Sequence, residues 1–227
     1  MCARFTLSKA EKDILAAYAA EMIDPFNADT NIAPTDGGLV IRADKTNEIH
    51  NYHFGLVPWH AADTKTDYKG VNARNDNLLK GQWKTIMEKG KRCLVIADGF
   101  YEWENVDGEK LPWRFTLDER EIFAFAGLYD TWVHPTTKEA YRSFAIITTE
   151  PNSLLEKYHN RMPVILSKEE EQLWIAKDLP LKELVELCDP FPVEQMKAYR
   201  VSKAVNSTRV KGALNKGPEL ILPANSA

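Results

Sequence analysis

Cysteine is scarce in this 227-residue sequence, and long apolar runs are missing. The three cysteines, Cys2, Cys93 and Cys188, are too few and too scattered for a disulfide framework or a Cys-x-x-Cys metal site. No run approaches the roughly 18 apolar residues that indicate a membrane span, and the N-terminus lacks the basic and then apolar layout of a signal peptide. We therefore expect a cytoplasmic protein with no membrane partner.

Motifs for metals and nucleotides are also missing. The five histidines show no ligand spacing, and neither a His-Glu-x-x-His motif nor a glycine-rich phosphate loop occurs. We therefore expect neither a metal nor a nucleotide cofactor.

The charge is unevenly distributed. A net charge of −4 argues against a protein coated in positive potential, as bulk nucleic-acid packaging requires. Residues 197–216 nevertheless contain six Lys or Arg and no acid, and residues 63–92 contain eight basic residues against four acids. These stretches are either ordinary solvated surface or parts of one basic groove on an acidic body.

The hydrophobic pattern predicts an α+β fold. Capping boxes at Ser8 with Glu11 and at Ser167 with Glu170 predict two helices, the first over 8–22, and helical spacing predicts two more over 78–89 and 181–188. Alternating runs between turn residues predict strands at 38–42, 50–57, 92–97, 99–103, 113–117, 122–127, 141–148, 163–166, 196–201 and 220–222. We expect a single domain over 1–227, in which helices surround a curved, mostly antiparallel, barrel-like sheet.

Cys2 is the cysteine that we expect to be reactive. Cys93 lies in an apolar run and Cys188 ends a helical pattern, so both are predicted to be buried and inert. Removal of Met1 would leave Cys2 with an α-amine of pKa about 7.7 to 8.0 beside a thiol of pKa about 8.5, both partly nucleophilic near neutral pH. Such a 1,2-aminothiol condenses with an aldehyde to a thiazolidine. The alternative is a frayed terminus without a role.

Glu102 is an acid flanked by aromatic residues, in Gly99-Phe100-Tyr101-Glu102-Trp103. If it faces inward with Phe100, desolvation raises its pKa toward the range of a general acid or base. Because strand neighbours alternate, Glu102 lies either on a core face or on a solvent face.

His159 stands in a predicted loop, and Asn72 lies ahead of the second predicted helix. His159 precedes the strand at 163–166, where loop residues often carry function, although a single histidine is also commonly structural. Asn72 offers an amide that can orient a substrate, and Arg74 offers a guanidinium fork suited to phosphate, unless both belong to an exposed polar loop.

Taken together and in this order, eight segments resemble the SRAP family, the SOS-response-associated peptidases, whose members sense abasic sites in single-stranded DNA. They are residues 1–5 (MCARF), 31–34 (NIAP), 72–74 (NAR), 97–103 (ADGFYEW), 126–128 (AGL), 159–163 (HNRMP), 201–202 with 205–206, and 217–220 (GPEL). The resemblance spans nearly the whole chain.

The resemblance implies a covalent link between Cys2 and the ring-opened sugar of an abasic site. It assigns Glu102 as a proton shuttle, His159 as a second catalytic group and Asn72 as an orienting amide. It implies removal of Met1 by the protein itself, and a lyase-like activity. The DNA-binding residues that it implies are Arg4, Asn31, Pro34, Trp59, Arg74, Trp103 and Arg161.

Four positions depart from the family pattern. Ala3 replaces a glycine, Asn160 an aspartate, Asp76 a glutamate and Ile96 a proline. Ala3 adds a Cβ to a crowded pocket and Asn160 removes a charge near His159, so these changes bear on rate and affinity rather than on the type of reaction.

The sequence thus predicts a monomeric enzyme that captures abasic sites in single-stranded DNA, in the cytoplasm or at the bacterial nucleoid. Two alternatives remain open at this point. One is a cysteine peptidase in which His159 activates Cys2, and the other is a non-catalytic module that binds single strands through the basic stretches alone.

Overall fold

The structure is a computed structural model, and it describes residues 3–64, 70–210 and 213–224. Cys2 lies outside the described residues. The described strands, in chain order, are β1 (Phe5–Leu7), β2 (Glu21–Met22), β3 (Asp29–Ile32), β4 (Gly37–Arg42), β5 (Lys45–Phe54), β6 (Asn72–Arg74), β7 (Arg92–Ala97), β8 (Gly99–Val106), β9 (Glu109–Leu117), β10 (Phe123–Val133), β11 (Ala140–Thr149), β12 (Met162–Pro163), β13 (Ile165–Leu166), β14 (Met196–Arg200), β15 (Arg209–Val210) and β16 (Ala213–Leu214).

The described helices are short and peripheral. They are α1 (Glu11–Tyr18), α2 (Gly81–Glu88), α3 (Lys168–Ile175) and α4 (Leu181–Glu186), with 3-10 turns at Asn75–Asn77, Val193–Gln195, Lys203–Asn206 and Pro218–Ile221. Within the described part of the chain, no helix is long and apolar enough to cross a membrane.

Five strands close into a barrel. β11, β10, β7, β4 and β5 pair in that order with antiparallel neighbours, and a parallel pairing of β5 with β11 completes the ring. The short strands β6 and β12 extend β11, β13 extends β10, and β2 extends β5. The predicted α+β fold with a mostly antiparallel, barrel-like core is therefore confirmed.

A second sheet covers the barrel, in the order β14-β9-β8-β1-β3. Its strand β1 lies between β3 and β8, with Phe5 opposite both Ile32 and Phe100. The Phe5 ring makes edge contacts with Phe54 and Phe125 of the barrel strands, at centroid distances of 5.5 and 6.0 Å. Burial of these rings, each worth up to about 3 kcal/mol, fixes the two sheets against each other.

The turn between β8 and β9 is a hairpin turn formed by an Asp-Gly pair. Asp107 and Gly108 connect the strands with positive φ values of 52° and 85°. Two positive values suit the right-handed twist of a hairpin, and they favour Asp-Gly at this position. The turn fixes the register that places Glu102 opposite Trp113.

The first helix differs from its prediction. It covers only Glu11–Tyr18, and its N-cap, Ala10, makes no side-chain cap. Ser8 does not form the predicted capping box, because its backbone N–H and its hydroxyl both donate to the Asp98 carboxylate, at 2.6 and 2.5 Å. The predicted end at 22 is also wrong, since Met22 belongs to β2 and pairs with Ile49.

Two further boundaries are corrected. The second helix begins at Gly81 rather than at 78, although Gly90, with φ of 66°, follows it as predicted. The predicted strand at 220–222 is wrong, because Pro218–Ile221 forms a 3-10 turn. Proline favours the first turn of a helix, and the turn buries Leu220 against Tyr101 without requiring a neighbouring strand.

Candidate functional site

Glu102 lies inside the protein, near the middle of β8. It is 3% exposed, and no described residue donates a hydrogen bond to its Oε1. Burial disfavours the charged carboxylate and raises the pKa of Glu102 to about 7. The two alternatives for its strand face are thereby decided, because Glu102 shares the core face with Phe100.

The loop that carries His159 packs beside Glu102. Trp113 of β9 stands opposite Glu102, so the two side chains share one face of the hairpin. The Trp113 ring contacts Tyr158 at 5.3 Å, and Phe115 contacts the same tyrosine at 5.1 Å. Because Tyr158 directly precedes His159, these contacts hold the histidine loop against the strand pair that carries Glu102.

His159 is held in one neutral form. Its Nδ1 accepts a hydrogen bond of 3.0 Å from the backbone N–H of Arg161, so the neutral ring carries its proton on Nε2. Partial burial lowers the pKa of His159, because it disfavours the charged ring. The imidazole is therefore uncharged at neutral pH.

His159 shares a groove of about 410 Å³ with Asn72, Arg74 and Arg161. Asn72 and Arg74 reach it because β6 pairs in parallel with β11, with Asn72 opposite Ile146. The Asn72 amide donates to the Ile146 carbonyl at 3.4 Å. Four of the residues predicted from sequence thus meet in one groove, whereas Glu102 lies on the neighbouring sheet and does not line it.

The two arginines of the groove are held differently. Arg74 donates two hydrogen bonds, of 3.0 and 2.6 Å, to the Asp76 carboxylate, and this pairing lowers the pKa of Asp76. Arg161 donates to the Asn75 side chain at 2.8 Å and to the Thr148 carbonyl. Desolvation and the Arg74 charge both lower the pKa of Arg161, as expected for two cations at one surface.

A second cluster brings Arg4, Asn31 and Trp103 together. The Arg4 guanidinium donates to the Asn31 side chain at 2.6 Å and to the Val205 carbonyl at 2.9 Å, and it lies 5.6 Å from the Trp103 ring centre. Trp103 in turn donates to Asn206 at 2.6 Å. Asn31 is 1% exposed, so its placement suits holding Arg4 rather than meeting a ligand directly.

Trp59 and Pro34 lie apart from these clusters. Trp59 is 80% exposed, which makes it the most solvent-accessible of the large apolar side chains that the structure describes. Pro34 is half-buried just after β3.

Sequence reasoning did not single out Asn75, which positions Arg161, or Trp83, which lines the groove, because neither stands in a pattern that marks such a contact.

The remaining cysteines have the predicted character. Cys93 and Cys188 are both fully buried, and burial raises the pKa of Cys93 strongly and that of Cys188 to about 12. Both thiols are therefore protonated and shielded at neutral pH. Among the described residues, no three His, Cys, Asp or Glu side chains converge as ligands for a metal ion.

Three of the six basic residues in 197–216 are paired with acids. Lys197 pairs with Asp118 at 3.1 Å, Lys203 pairs with Glu109, and Lys216 lies 2.9 Å from Asp36. This stretch therefore agrees with a solvated surface better than with one continuous basic groove.

Comparisons with known proteins agree in sequence and in fold. The family model described as SOS response associated peptidase (SRAP) matches residues 1–208. Abasic site processing protein YoqW of Bacillus subtilis (strain 168) is 38% identical over 97% of this chain and 99% of its own length. Abasic site processing protein HMCES of Gallus gallus is 33% identical over 80% of this chain and 59% of its own length. A crystal structure of a protein from Bacteroides thetaiotaomicron matches with a TM-score of 0.83 and 27% identity, over 91% of this chain and 95% of that one.

Proposed function

The chain belongs to the SRAP family, and from this premise we propose that it captures abasic sites in single-stranded DNA covalently, through the amine and the thiol of Cys2. The names of its relatives support abasic sites as the substrate. The observation that carries the proposal is Glu102, a buried carboxyl with a pKa of about 7 on the strand that pairs with the start of the chain.

Chain connectivity supports a reaction between Cys2 and a substrate near Glu102. The Arg4 carbonyl accepts a hydrogen bond of 3.0 Å from the Tyr101 N–H, which extends the pairing of β1 with β8. Two residues of chain span at most about 7 Å. The side chain of residue 2 can therefore reach a substrate bound beside the part of β8 that carries Glu102.

Apart from bond formation at the aldehyde carbon and loss of water, the proposed reaction needs only proton transfers. The Cys2 amine adds to the aldehyde carbon of the ring-opened sugar, and loss of one water gives an imine. The thiol sulfur then adds to the same carbon, and its proton passes to the nitrogen, which closes a five-membered thiazolidine. One C–N bond and one C–S bond form, and neither an oxidant nor a reductant takes part.

Glu102 is suited to move these protons. With a pKa of about 7 it is present in both forms at neutral pH, so it can accept a proton from the attacking amine and return one to the departing water. His159, neutral under the same conditions, serves as a second proton carrier. The Asn72 amide orients the sugar.

The arginines of the groove are suited to the DNA backbone. Arg74 and Arg161 present guanidinium groups to phosphate oxygens along the groove that contains Asn72 and His159. Trp103 and the exposed Trp59 offer rings on which unpaired bases stack without regard to sequence. Arg4, which the buried Asn31 holds in place, extends the proposed interface on the side of Trp103, and we include Pro34, just after β3, as a further candidate contact.

The same residues account for processing of the terminus. We expect the protein to remove its own Met1, because the amine of Cys2 exists only after that cleavage. Lyase-like cleavage beside the captured sugar follows from imine chemistry. The site of action is then wherever single-stranded DNA is exposed, in the cytoplasm or at the bacterial nucleoid.

The decisive experiment compares abasic with intact single strands on denaturing gels. We expect wild-type protein to give a band that resists denaturation with abasic DNA only, and Cys2→Ala to give none. A Cys93→Ala, Cys188→Ala double variant should retain the band, since both thiols are buried. Intact-mass measurement should show wild-type protein without Met1.

The controls separate the alternative functions. Treating the abasic strand with methoxyamine, which blocks its aldehyde, should abolish the band as completely as loss of Cys2 does. A crosslink by Cys2→Ala, or by protein with an uncleaved N-terminal extension, would contradict the aminothiol chemistry. Salt-sensitive binding without any covalent product would instead favour a non-catalytic module, and cleavage of unrelated peptides would favour a peptidase.

A further inference from the structure

A small apolar pocket lies beside the groove, outside the residues used so far for catalysis. Its volume is about 120 Å³, and its lining includes Leu56, Pro58 and Ile86, with the indoles of Trp59 and Trp83. Trp83 also lines the groove that contains Asn72 and His159. The pocket and the groove are therefore separated by a single indole ring.

Close packing at Gly70 fixes this arrangement. A Cβ added at Gly70 would lie 2.9 Å from the Trp83 ring and 3.3 Å from Leu56, so only glycine lets the indole rest on the backbone here. Gly70 also pairs with Leu56 through two backbone hydrogen bonds, of 2.9 and 3.0 Å. Two residues later the same chain supplies Asn72, so the pocket lies next to the proposed position of the abasic sugar.

The chemistry of the pocket suits one flat ring with a polar edge. An engineered apolar cavity of about 150 Å³ binds benzene, so a pocket of about 120 Å³ accepts one ring system and excludes a larger ligand. Gln82, Thr85 and Lys89 contribute an amide, a hydroxyl and an ammonium to its lining. Asp130 adds a carboxylate that is paired with Lys91. An amide both donates and accepts hydrogen bonds, so it suits the edge of any nucleobase, and the exposed Lys89 suits a phosphate.

We propose that this pocket holds one unpaired nucleobase, from the nucleotide next to the abasic site on the captured strand. The inference rests on the proposed function. A base beside a lesion has lost one stacking neighbour, so it leaves the stack at a lower cost than a base stacked on both sides. Contact with these indoles replaces the lost stacking, and it holds the abasic sugar in the groove.

The test uses strands with tetrahydrofuran, an abasic analogue without an aldehyde, so that binding is reversible. A second tetrahydrofuran then replaces the nucleotide on its 5′ side or on its 3′ side. We expect removal of the base on one side to weaken binding roughly 5- to 150-fold, the range for loss of one stacked base, and removal on the other side to have a much smaller effect.

Variants test whether this one-sided loss of affinity, called the penalty below, arises at the pocket. Trp59→Ala should nearly abolish the penalty, because the indole against which the base stacks is gone, and its 80% exposure predicts an unchanged melting temperature. Leu79→Ala is the matched control, since Leu79 is an exposed apolar residue just before α2 that does not line the pocket. It should retain the full penalty.

The outcomes separate this inference from the proposed function. The pocket assignment would be overturned if removing the base weakened binding equally on the two sides, or on neither side. It would also be overturned if a one-sided loss of affinity persisted in Trp59→Ala. Both conclusions hold even if the aldehyde strand is crosslinked normally. A one-sided penalty that Trp59→Ala removes would support the pocket. The same result without any crosslink to the aldehyde strand would overturn the capture chemistry alone.

Discussion

The fold keeps the carboxyl of Glu102 out of water, and this placement affects both reactivity and stability. The pKa of Glu102 rises from 4.5 to about 7 because burial penalises the charged form. The folded state therefore binds this proton more tightly than the unfolded chain. The resulting stabilisation is fully present below about pH 4.5 and is lost as the pH rises through about 7, and it amounts to on the order of 3 kcal/mol.

Replacing Glu102 by glutamine should separate these two effects. Glu102→Gln should slow crosslinking, and it should remove the change in rate that the wild type shows around pH 7. It should also raise the free energy of unfolding relative to the wild type at pH 8 but not at pH 5, because glutamine never becomes charged. Quenched time courses and denaturant titrations at both pH values measure the two quantities.

The matched control for this variant is Glu104→Gln. Glu104 lies two residues further along β8, is half-exposed, and accepts a hydrogen bond of 3.0 Å from Trp113, which glutamine can still accept. The crosslinking rate of Glu104→Gln and its dependence on pH should equal those of the wild type. A wild-type rate for Glu102→Gln at every pH would remove Glu102 from the proton-transfer role.

The burial of individual candidate residues could be argued from sequence only in part, and their neighbours could not be predicted. The pattern around Glu102 left a core face and a solvent face open, and the loop position of His159 left a functional and a structural role open. No sequence pattern connects either residue with Trp113 and Tyr158, whose ring contact brings the two segments together. That contact depends on tertiary packing between residues 45 positions apart.

At the scale of the element, the three-residue strand β1 depends on a buried charge for its position. The Asp98 carboxylate accepts hydrogen bonds from the Thr6 hydroxyl and from Ser8, and it pairs with Arg114 at 3.0 Å. Gly99 allows this approach, because a Cβ there would lie 2.8 Å from the Arg114 guanidinium. Since a slip of one residue would turn Phe5 out of the core, Asp98 secures the register that places Arg4 opposite Tyr101.

Asp98→Ala should therefore impair both stability and capture. Loss of one partner leaves the Arg114 charge buried, and such losses cost about 3 to 5 kcal/mol. Chemical denaturation measures this cost, and crosslinking rates at temperatures where the variant is fully folded measure the effect on register. Glu121→Ala is the control, because Glu121 and its partner Lys9 are both solvent-accessible and the pair should contribute less than about 1 kcal/mol. A folded Asp98→Ala protein with wild-type capture would show that β1 needs no such anchor.

The two predicted capping boxes show what sequence patterns can establish at this scale. Ser167 and Glu170 form the box, with hydrogen bonds of 3.2 and 2.7 Å. Ser8 and Glu11 have the same spacing, yet Asp98, 90 residues away, takes both donors of Ser8. A local pattern predicts a local structure only where no distant residue competes for the same groups.

At the scale of the whole molecule, a net charge of −4 conceals a groove lined by two arginines, which we propose as a site for phosphate. The groove contains Arg74 and Arg161, whereas three of the lysines in 197–216 are paired with acids. Reversible binding to single strands should therefore weaken as salt rises, with a log–log slope of about 0.7 for each phosphate that is neutralised.

Substitutions at the groove should change that slope. Arg74→Ala and Arg161→Ala should each lower it by about 0.7, whereas Lys197→Ala, which removes a cation already paired with Asp118, should leave it unchanged. Asp76→Asn should strengthen binding, because it releases the Arg74 fork from its present partner. Unchanged slopes for both arginine variants, measured by fluorescence anisotropy at several salt concentrations, would remove these residues from the interface.

The central place of β1 in its sheet has a consequence for the order of folding. Phe5 lies between Ile32 and Phe100, so the start of the chain cannot take its position until residues nearly a hundred places later have been synthesised. At about 5 to 20 residues per second, the ribosome needs roughly 5 to 20 seconds to make that stretch. A nascent chain therefore exposes its first residues long before Glu102 is buried beside them. The site that we propose for capture therefore cannot form before β8 has been synthesised.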